Sequence, residues 1–384
     1  MGPSLPSSLM ASGRSPVRDV DALIVGGGPA GTAAAIVCAR AGLSTVLLEG
    51  EPFPRHRPGE TLHPGVEPLF EELGIAERVA QRGFLRHPGH WVRWAGPHTF
   101  RPFGADSRGP WVGIQAPRGE LDAIALEHSR EVGVRVIQPG RVGAVTLDDD
   151  RVVGAESPVG ALKARFTIDA TGARHWLARQ LGLRWDVRSP RLIARYGYAR
   201  GQCAARDDAP AIVADAEGWT WTSRVRPGHY AWARVSIRNL ALGRHWLPEE
   251  LRGLRTDGPA RGADVTWRCV DTAAGPGFFI VGDAACVLDP ASSHGLLRAV
   301  MSGMLAGQRI VDVLCGGAME SIAAADYCRW VTERFEHDVG ILDSLYGIFP
   351  AWRARARDLI RRSDRPAAAA IAESSARALS RSSC

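Results

Sequence analysis

Three glycines, spaced Gly26-x-Gly28-x-x-Gly31, stand between the apolar run Asp21-Ala-Leu-Ile-Val25 and an alanine-rich stretch that continues to Arg40. An apolar run bounded by a charge and by glycines has the pattern of a buried parallel strand. The alanine-rich stretch predicts a helix opening at Pro29 and Ala30, Gly42 ends it, and Ser44-Thr-Val-Leu-Leu48 predicts a second strand finishing at Glu49. In such a unit Gly26 permits the tight turn, Gly28 lets the backbone approach a pyrophosphate, and Gly31 lets helix and strand pack closely. The helix N-terminus then directs free N–H groups and partial positive charge at a diphosphate. Glu49 lies about 20 residues on, where an acid accepts hydrogen bonds from ribose hydroxyls. The order strand, glycine turn, helix, strand, acid predicts a dinucleotide-binding βαβ unit.

Ala22–Ala39 is uncharged and about long enough to span a bilayer. The run Gly26-Gly27-Gly28-Pro29 interrupts it, so no transmembrane helix and no stable membrane insertion is expected. With 384 residues, 45% of them hydrophobic, the chain can build two domains with real cores. Its net charge of +6 is carried by arginine, Lys163 being the sole lysine. No basic block with interleaved aromatics occurs, which excludes a nucleic-acid partner. The cysteines, 7 in number, include no CxxC pair. That excludes a zinc site and a disulfide framework, and predicts reduced thiols in a cytoplasm. No metal is expected. Residues 1–18 are Ser/Pro-rich without an apolar h-region, and are expected to be a disordered leader.

A second segment identifies the dinucleotide. Phe279-Ile-Val-Gly282-Asp283 precedes Asp289-Pro290, then Ser-His294-Gly295-Leu296 and an apolar helix. It resembles the second FAD fingerprint of the flavin-dependent monooxygenase and tryptophan halogenase superfamily. The resemblance implies that Asp283 binds the ribityl chain and that the helix led by Gly295 and Leu296 faces the flavin pyrimidine. Gly282, Asp289 and Pro290 belong to the same cofactor set. Phe166-Thr-Ile-Asp-Ala-Thr-Gly172 and Gln115-x-x-Arg118-x-x-Leu-Asp122 match further superfamily segments. Arg118 and Arg57 are expected near the flavin; Arg118 could equally pair with Asp122 across one helix turn. No second GxGxxG occurs, so a separate NAD(P)H domain is not expected.

The implied fold class is α/β: a Rossmann-type FAD-binding domain like that of p-hydroxybenzoate hydroxylase, with an inserted, mainly antiparallel β-sheet substrate domain and a helical C-terminus. The FAD domain is expected to be discontinuous, over 19–87, 112–184 and 271–318. The substrate domain takes 88–111 and 185–270, where Leu192–Tyr198, Trp219–Thr222 and Tyr230–Ile237 alternate as antiparallel strands do. A helical segment with a frayed tail is expected over 319–384.

The superfamily hydroxylates, halogenates, epoxidises and reduces alkenes, so the fold does not choose. Its halogenases use a lysine ammonium that this chain lacks near Gly83–Pro88, and arginine is a poor substitute. Hydroxylation of an electron-rich aromatic through a flavin C4a-hydroperoxide is therefore expected, with O2 as co-substrate. NAD(P)H would reduce the FAD directly or through a separate flavin reductase. Glu60, His63 and His294 are the candidate catalytic proton carriers, and Trp219 and Trp221 the candidate substrate wall. Arg57–Gly65 and Asp289–Met304 are most similar to the flavoproteins that modify a tryptophan of a partner subunit during tryptophylquinone maturation. That likeness implies a protein-borne indole as substrate. The alternatives are an isoprenoid alkene reductase, a small-molecule aromatic hydroxylase, and a non-catalytic flavin-binding maturation factor.

Overall fold

The computed structural model describes residues 18–107, 109–238 and 242–352. The expected leader and frayed tail lie almost wholly outside them. A parallel sheet runs in the order Arg135–Ile137, Thr45–Leu48, Arg18–Val25, Gly160–Asp169, Phe278–Ile280. Alternate residues of its first strand serve the two faces. Ala22 and Ile24 join the core shared with helix Pro29–Arg40, whereas Leu23 and Val25 pack with Val46, Leu48 and Leu162. Strand Gly160–Asp169 is long enough to pair at its start with the antiparallel hairpin Val145–Asp148/Arg151–Ser157. The α/β class with its inserted sheet is thus the observed fold.

Helix Pro29–Arg40 is covered by helix Gly295–Leu314. Small residues let them approach: a Cβ on Gly303 would fall 2.0 Å from the Ala30 carbonyl oxygen. Likewise a Cβ on Gly31 would fall 1.9 Å from Gly26 O, and Gly26 itself has φ +110°. The turn therefore requires glycine at both positions.

The inserted sheet has eight strands. Thr99–Pro102, Gly89–Arg93, Ala211–Asp215, Gly218–Arg226, His229–Ser236 and Ile193–Arg200 lie side by side, and both Arg255–Thr256 and Arg261–Asp264 pair with the last of these. Thr61–Leu62, Gly113–Gln115 and Leu85–His87 form a small sheet of their own. The long helix Glu320–Tyr346 ties both large sheets together: Tyr327 donates to Ile280 O at 2.9 Å, and Trp219 Nε1 donates to the Tyr346 hydroxyl at 2.8 Å. No helix among the described residues is long and apolar enough to cross a membrane.

One expectation is corrected. Cys269 and Cys286 are disulfide-bonded, so the cysteines are not all reduced thiols. The two sit directly opposite each other on strands Arg268–Val270 and Cys286–Val287, a pairing that only the folded register creates, 17 residues apart with no motif spacing.

Candidate flavin and substrate cleft

At the glycine turn the Glu49 carboxylate, 3% exposed, organises the backbone. Its Oε2 accepts from Gly27 N at 2.7 Å and from Arg55 Nη1 at 2.9 Å, and its Oε1 accepts from Glu51 N at 2.8 Å. Arg55 lies over the Phe53 ring and beside Gly28, where a Cβ would meet its Nη2 at 3.3 Å. Arg55 was not among the expected site residues. Arg57 pairs instead with Glu51 at the rim, Nη2 to Oε1 at 2.9 Å. Arg118 holds Asp122 through Nε at 3.0 Å and donates to Pro58 O at 3.2 Å. The helix-turn pair is therefore the observed state, and it fixes the guanidinium at the cleft.

Beyond Gly282, whose N–H donates to Ser302 Oγ at 2.9 Å, the Asp283 side chain is exposed and has no hydrogen bond to any described residue. The surrounding protein raises its pKa, opposed by the charges of Arg298, Arg118 and Arg268. Gly295 opens its helix on free space: a Cβ there would meet nothing within 4 Å. An unpartnered acid, an open helix N-terminus and glycine-lined backbone fit a dinucleotide with a polyol linker. Glu49, Arg118, Asp283 and Gly295, with Pro29, Ala30 and Leu296 near them, would hold FAD.

Asp289 is placed otherwise. It is fully buried, accepting from Ala291 N at 2.8 Å and from the Tyr346 hydroxyl at 2.5 Å. Burial pushes its pKa up to about 6. It braces the loop carrying exposed Pro290 instead of reaching the cleft. Trp219 is also fully buried on the same Tyr346 hydroxyl, so it is a core residue and no substrate wall in this structure. Trp221 is only partly buried and donates Nε1–H to Thr61 Oγ1 at 3.2 Å.

The three candidate proton carriers cluster around the short strand Thr61–Leu62. Glu60 is 8% exposed and accepts from Gly59 N at 2.9 Å and from the Tyr198 hydroxyl. Burial raises its pKa, opposed by those hydrogen bonds and by Arg118. The rings of His63 and His294 are 5.9 Å apart. His63 Nδ1 accepts from Gly65 N at 3.0 Å, so its neutral form carries the proton on Nε2. Burial, then the neighbouring His294, lowers its pKa.

His294 Nδ1 lies 3.2 Å from Asp338 Oδ1, and Arg298 Nη1 donates to Asp338 Oδ2 at 2.9 Å. Burial works against ionisation of Asp338, yet His294 and Arg298 hold its pKa below the ordinary value. A carboxylate only accepts, so His294 donates through Nδ1, which leaves Nε2 as the acceptor whenever the ring is neutral. Asp338 and Tyr198 were missed in the sequence because each is supplied by a distant element. The only signal was the alternation Tyr196-x-Tyr198, which puts both phenols on one sheet face.

A parallel sheet, a glycine turn, an open helix N-terminus and an inserted sheet over the same cleft define a flavoprotein of the monooxygenase and halogenase class. The chain belongs to the FAD-binding family: the family model described as "FAD binding domain" matches residues 19–246. It is 28% identical over 354 residues to tryptophan 2-halogenase of Chondromyces crocatus, covering 85% of this chain and 67% of that protein. It is 29% identical over 360 residues to menaquinone reductase of Mycolicibacterium smegmatis, covering 83% and 80%. Among solved structures, the flavin-dependent halogenase CmlS shares the fold with a TM-score of 0.78 at 23% identity, covering 88% of this chain and 67% of that one. The chain thus spans about two thirds of the length of each of these two halogenases.

Proposed function

We propose that this protein is an FAD-dependent oxidoreductase that hydroxylates an electron-rich aromatic ring, an indole being the substrate class. In the overall reaction one oxygen atom of O2 enters a ring C–H bond and the other leaves as water. The electrons come from NAD(P)H, directly or through a separate reductase, and the bound flavin supplies the oxygen-activating chemistry. The chain's own residues bind the flavin through Glu49, Arg118 and Asp283, and exclude water by closing the inserted sheet on Thr61 and Glu60. Glu60, hydrogen-bonded by Tyr198, holds or accepts a proton at the ring, and His294, oriented by Asp338, does so beside the flavin-facing helix.

The observation that carries hydroxylation over halogenation is the position of Lys163. It lies on strand Gly160–Asp169 opposite Asp19, near the start of the first strand and away from the Gly26 end where the cleft lies. No other ammonium side chain exists to carry a hypohalous acid. Halogenation is the second reading, favoured by the names of the relatives. The narrower expectation, a tryptophan of a partner subunit modified during quinone cofactor maturation, rests on the sequence resemblance alone. One experiment separates these readings. FAD-loaded protein is supplied with reductant, O2, bromide and either free indoles or a tryptophan-containing subunit, and products are read by mass. Gain of oxygen supports hydroxylation and reports which substrate is used. Gain of bromine, or alkene reduction without O2 consumption, overturns it.

A further inference from the structure

We propose that an apolar chamber opening on the flavin cleft holds molecular oxygen beside the cofactor. The inference rests on the reading that reduced flavin meets O2 in this cleft, and it adds where the gas is held. The chamber has a volume of about 20 Å³, and ~10–15 Å³ is the least that admits one small molecule. Four helices wall it. Thr32 comes from Pro29–Arg40, Ala125 from Arg118–Glu131, Val300 from Gly295–Leu314, and Phe70 from the short helix Glu67–Glu72. Phe70, Ala125 and Val300 belong to one hydrophobic cluster, and Leu296 packs on its edge.

Exposure shows which way the chamber opens. Phe70, Ile75, Leu121 and Val300 are at most 3% exposed, and Ala125 is 8% exposed. Among the residues lining it, only Pro29 and Leu296 are partly exposed. Pro29 follows the glycine turn and Leu296 follows Gly295, so both stand within the group that would hold FAD. The mouth therefore faces the cofactor, and the far end is closed by protein. Helix geometry produces this lining. Leu296 and Val300 are four residues apart, as are Leu121 and Ala125, and each pair lies on one helix face.

The chemistry of the lining selects the occupant. Thr32 and Asp122 are its only polar side chains, and both are engaged. Thr32 Oγ1 donates to Gly28 O at 3.0 Å. The Asp122 oxygens accept from Arg118 Nε at 3.0 Å and Nη2 at 3.2 Å. A buried water needs about two to four polar partners, whereas an apolar cavity stays dry. Dioxygen asks for no partner. It is small, uncharged and apolar, so its transfer from water to such a lining is favourable. The chamber is too small for an indole ring, which leaves the gas as the reactant that fits.

The test begins with crystals of the FAD-loaded protein under xenon, an apolar gas that occupies cavities of this kind. One xenon site is expected between Phe70, Ala125 and Val300. Val300→Ile and Ala125→Val fill the chamber from two different helices. Both are expected to lose the xenon site while FAD content and Tm are kept. Stopped-flow mixing of the reduced protein with O2, without aromatic substrate, then reads the gas reaction alone. Two electrons and two protons leave the reduced flavin, which returns to FAD, and O2 becomes H2O2. The second-order rate constant is expected to fall severalfold in both variants, with the rate of flavin reduction unchanged. No xenon in the chamber, or ordered water there instead, overturns the dry site. Loss of xenon with an unchanged O2 rate marks a packing void and overturns the oxygen role. The hydroxylase reading is judged apart from this. Oxygenated product from a protein whose chamber fails leaves that reading standing, and a chamber that passes without such product leaves the inference standing.

Discussion

The Tyr198 hydroxyl, on the inserted sheet, donates to Glu60 Oε1 on the loop that leaves the glycine domain, across a sequence separation of 138 residues. This contact joins the two halves of the cleft at the group best placed to move a proton. Glu60 has a raised pKa because it is buried, and the Tyr198 hydrogen bond is the first influence that pulls it back. If Glu60 is the base, activity rises with pH as the carboxyl ionises. Tyr198→Phe should move that rise to higher pH, and Glu60→Gln should lower kcat by about a hundredfold. FAD content by absorbance should be unchanged in both. A pH profile that Tyr198→Phe leaves in place would remove Glu60 from the proton path.

Asp283 has no hydrogen bond to any described residue, so its loss removes none from the apoprotein. Because its surroundings raise its pKa, Asp283→Ala should not lower the apoprotein Tm, while weakening FAD affinity by about tenfold to a hundredfold, the worth of a charged hydrogen bond. Fluorescence titration of released FAD measures it. A fall in apoprotein Tm would show a structural role instead.

Gly303→Ala tests the helix contact that builds the flavin cradle. The added methyl would sit 2.0 Å from Ala30 O, so the two helices must separate. Overpacking of this kind costs about 1–3 kcal/mol, and displacing Ala30 disturbs the diphosphate turn. Both Tm and FAD occupancy should fall together.

Asp289 gives a stability signature in pH. Its folded pKa of about 6 lies above the ordinary 3.8. A raised carboxyl pKa means that the folded state binds the proton more tightly. The contribution is therefore fully present below pH 3.8 and is lost as pH rises to about 6. The loss is on the order of 2–3 kcal/mol for this fully buried group. Asp289→Asn should flatten that part of the Tm profile, and an unchanged profile would refute the buried charge.

Asp338→Asn leaves Arg298, whose side chain is 11% exposed, without its carboxylate. Stability should drop by about 2 kcal/mol. Product formation should drop with FAD still bound, because His294 loses the group that orients it. Retained turnover would leave His294 without a catalytic part.

The glycine turn, the second strand ending at Glu49, and the alternation of the inserted strands were legible because each is a short-range pattern. Backbone sterics at Gly26 and the period of a strand act between neighbours in sequence. The Gly282–Asp283 segment was recognisable for the same reason, since its glycine, its acid and the following Asp289-Pro290 form a short-range pattern. The roles of Asp289 and Trp219 were not, because both depend on Tyr346, which arrives from the last described helix. Nor was the Cys269–Cys286 bond, which follows from strand register rather than spacing.

The sequence by itself determined a dinucleotide fold, because local sterics and hydrogen-bonding geometry allow little else around Gly26-x-Gly28-x-x-Gly31. Tertiary structure alone decided what faces the cleft. Burial and long-range contacts set Glu60 against Tyr198 and His294 against Asp338. Those influences act through space, and no pattern of neighbours along the chain encodes them.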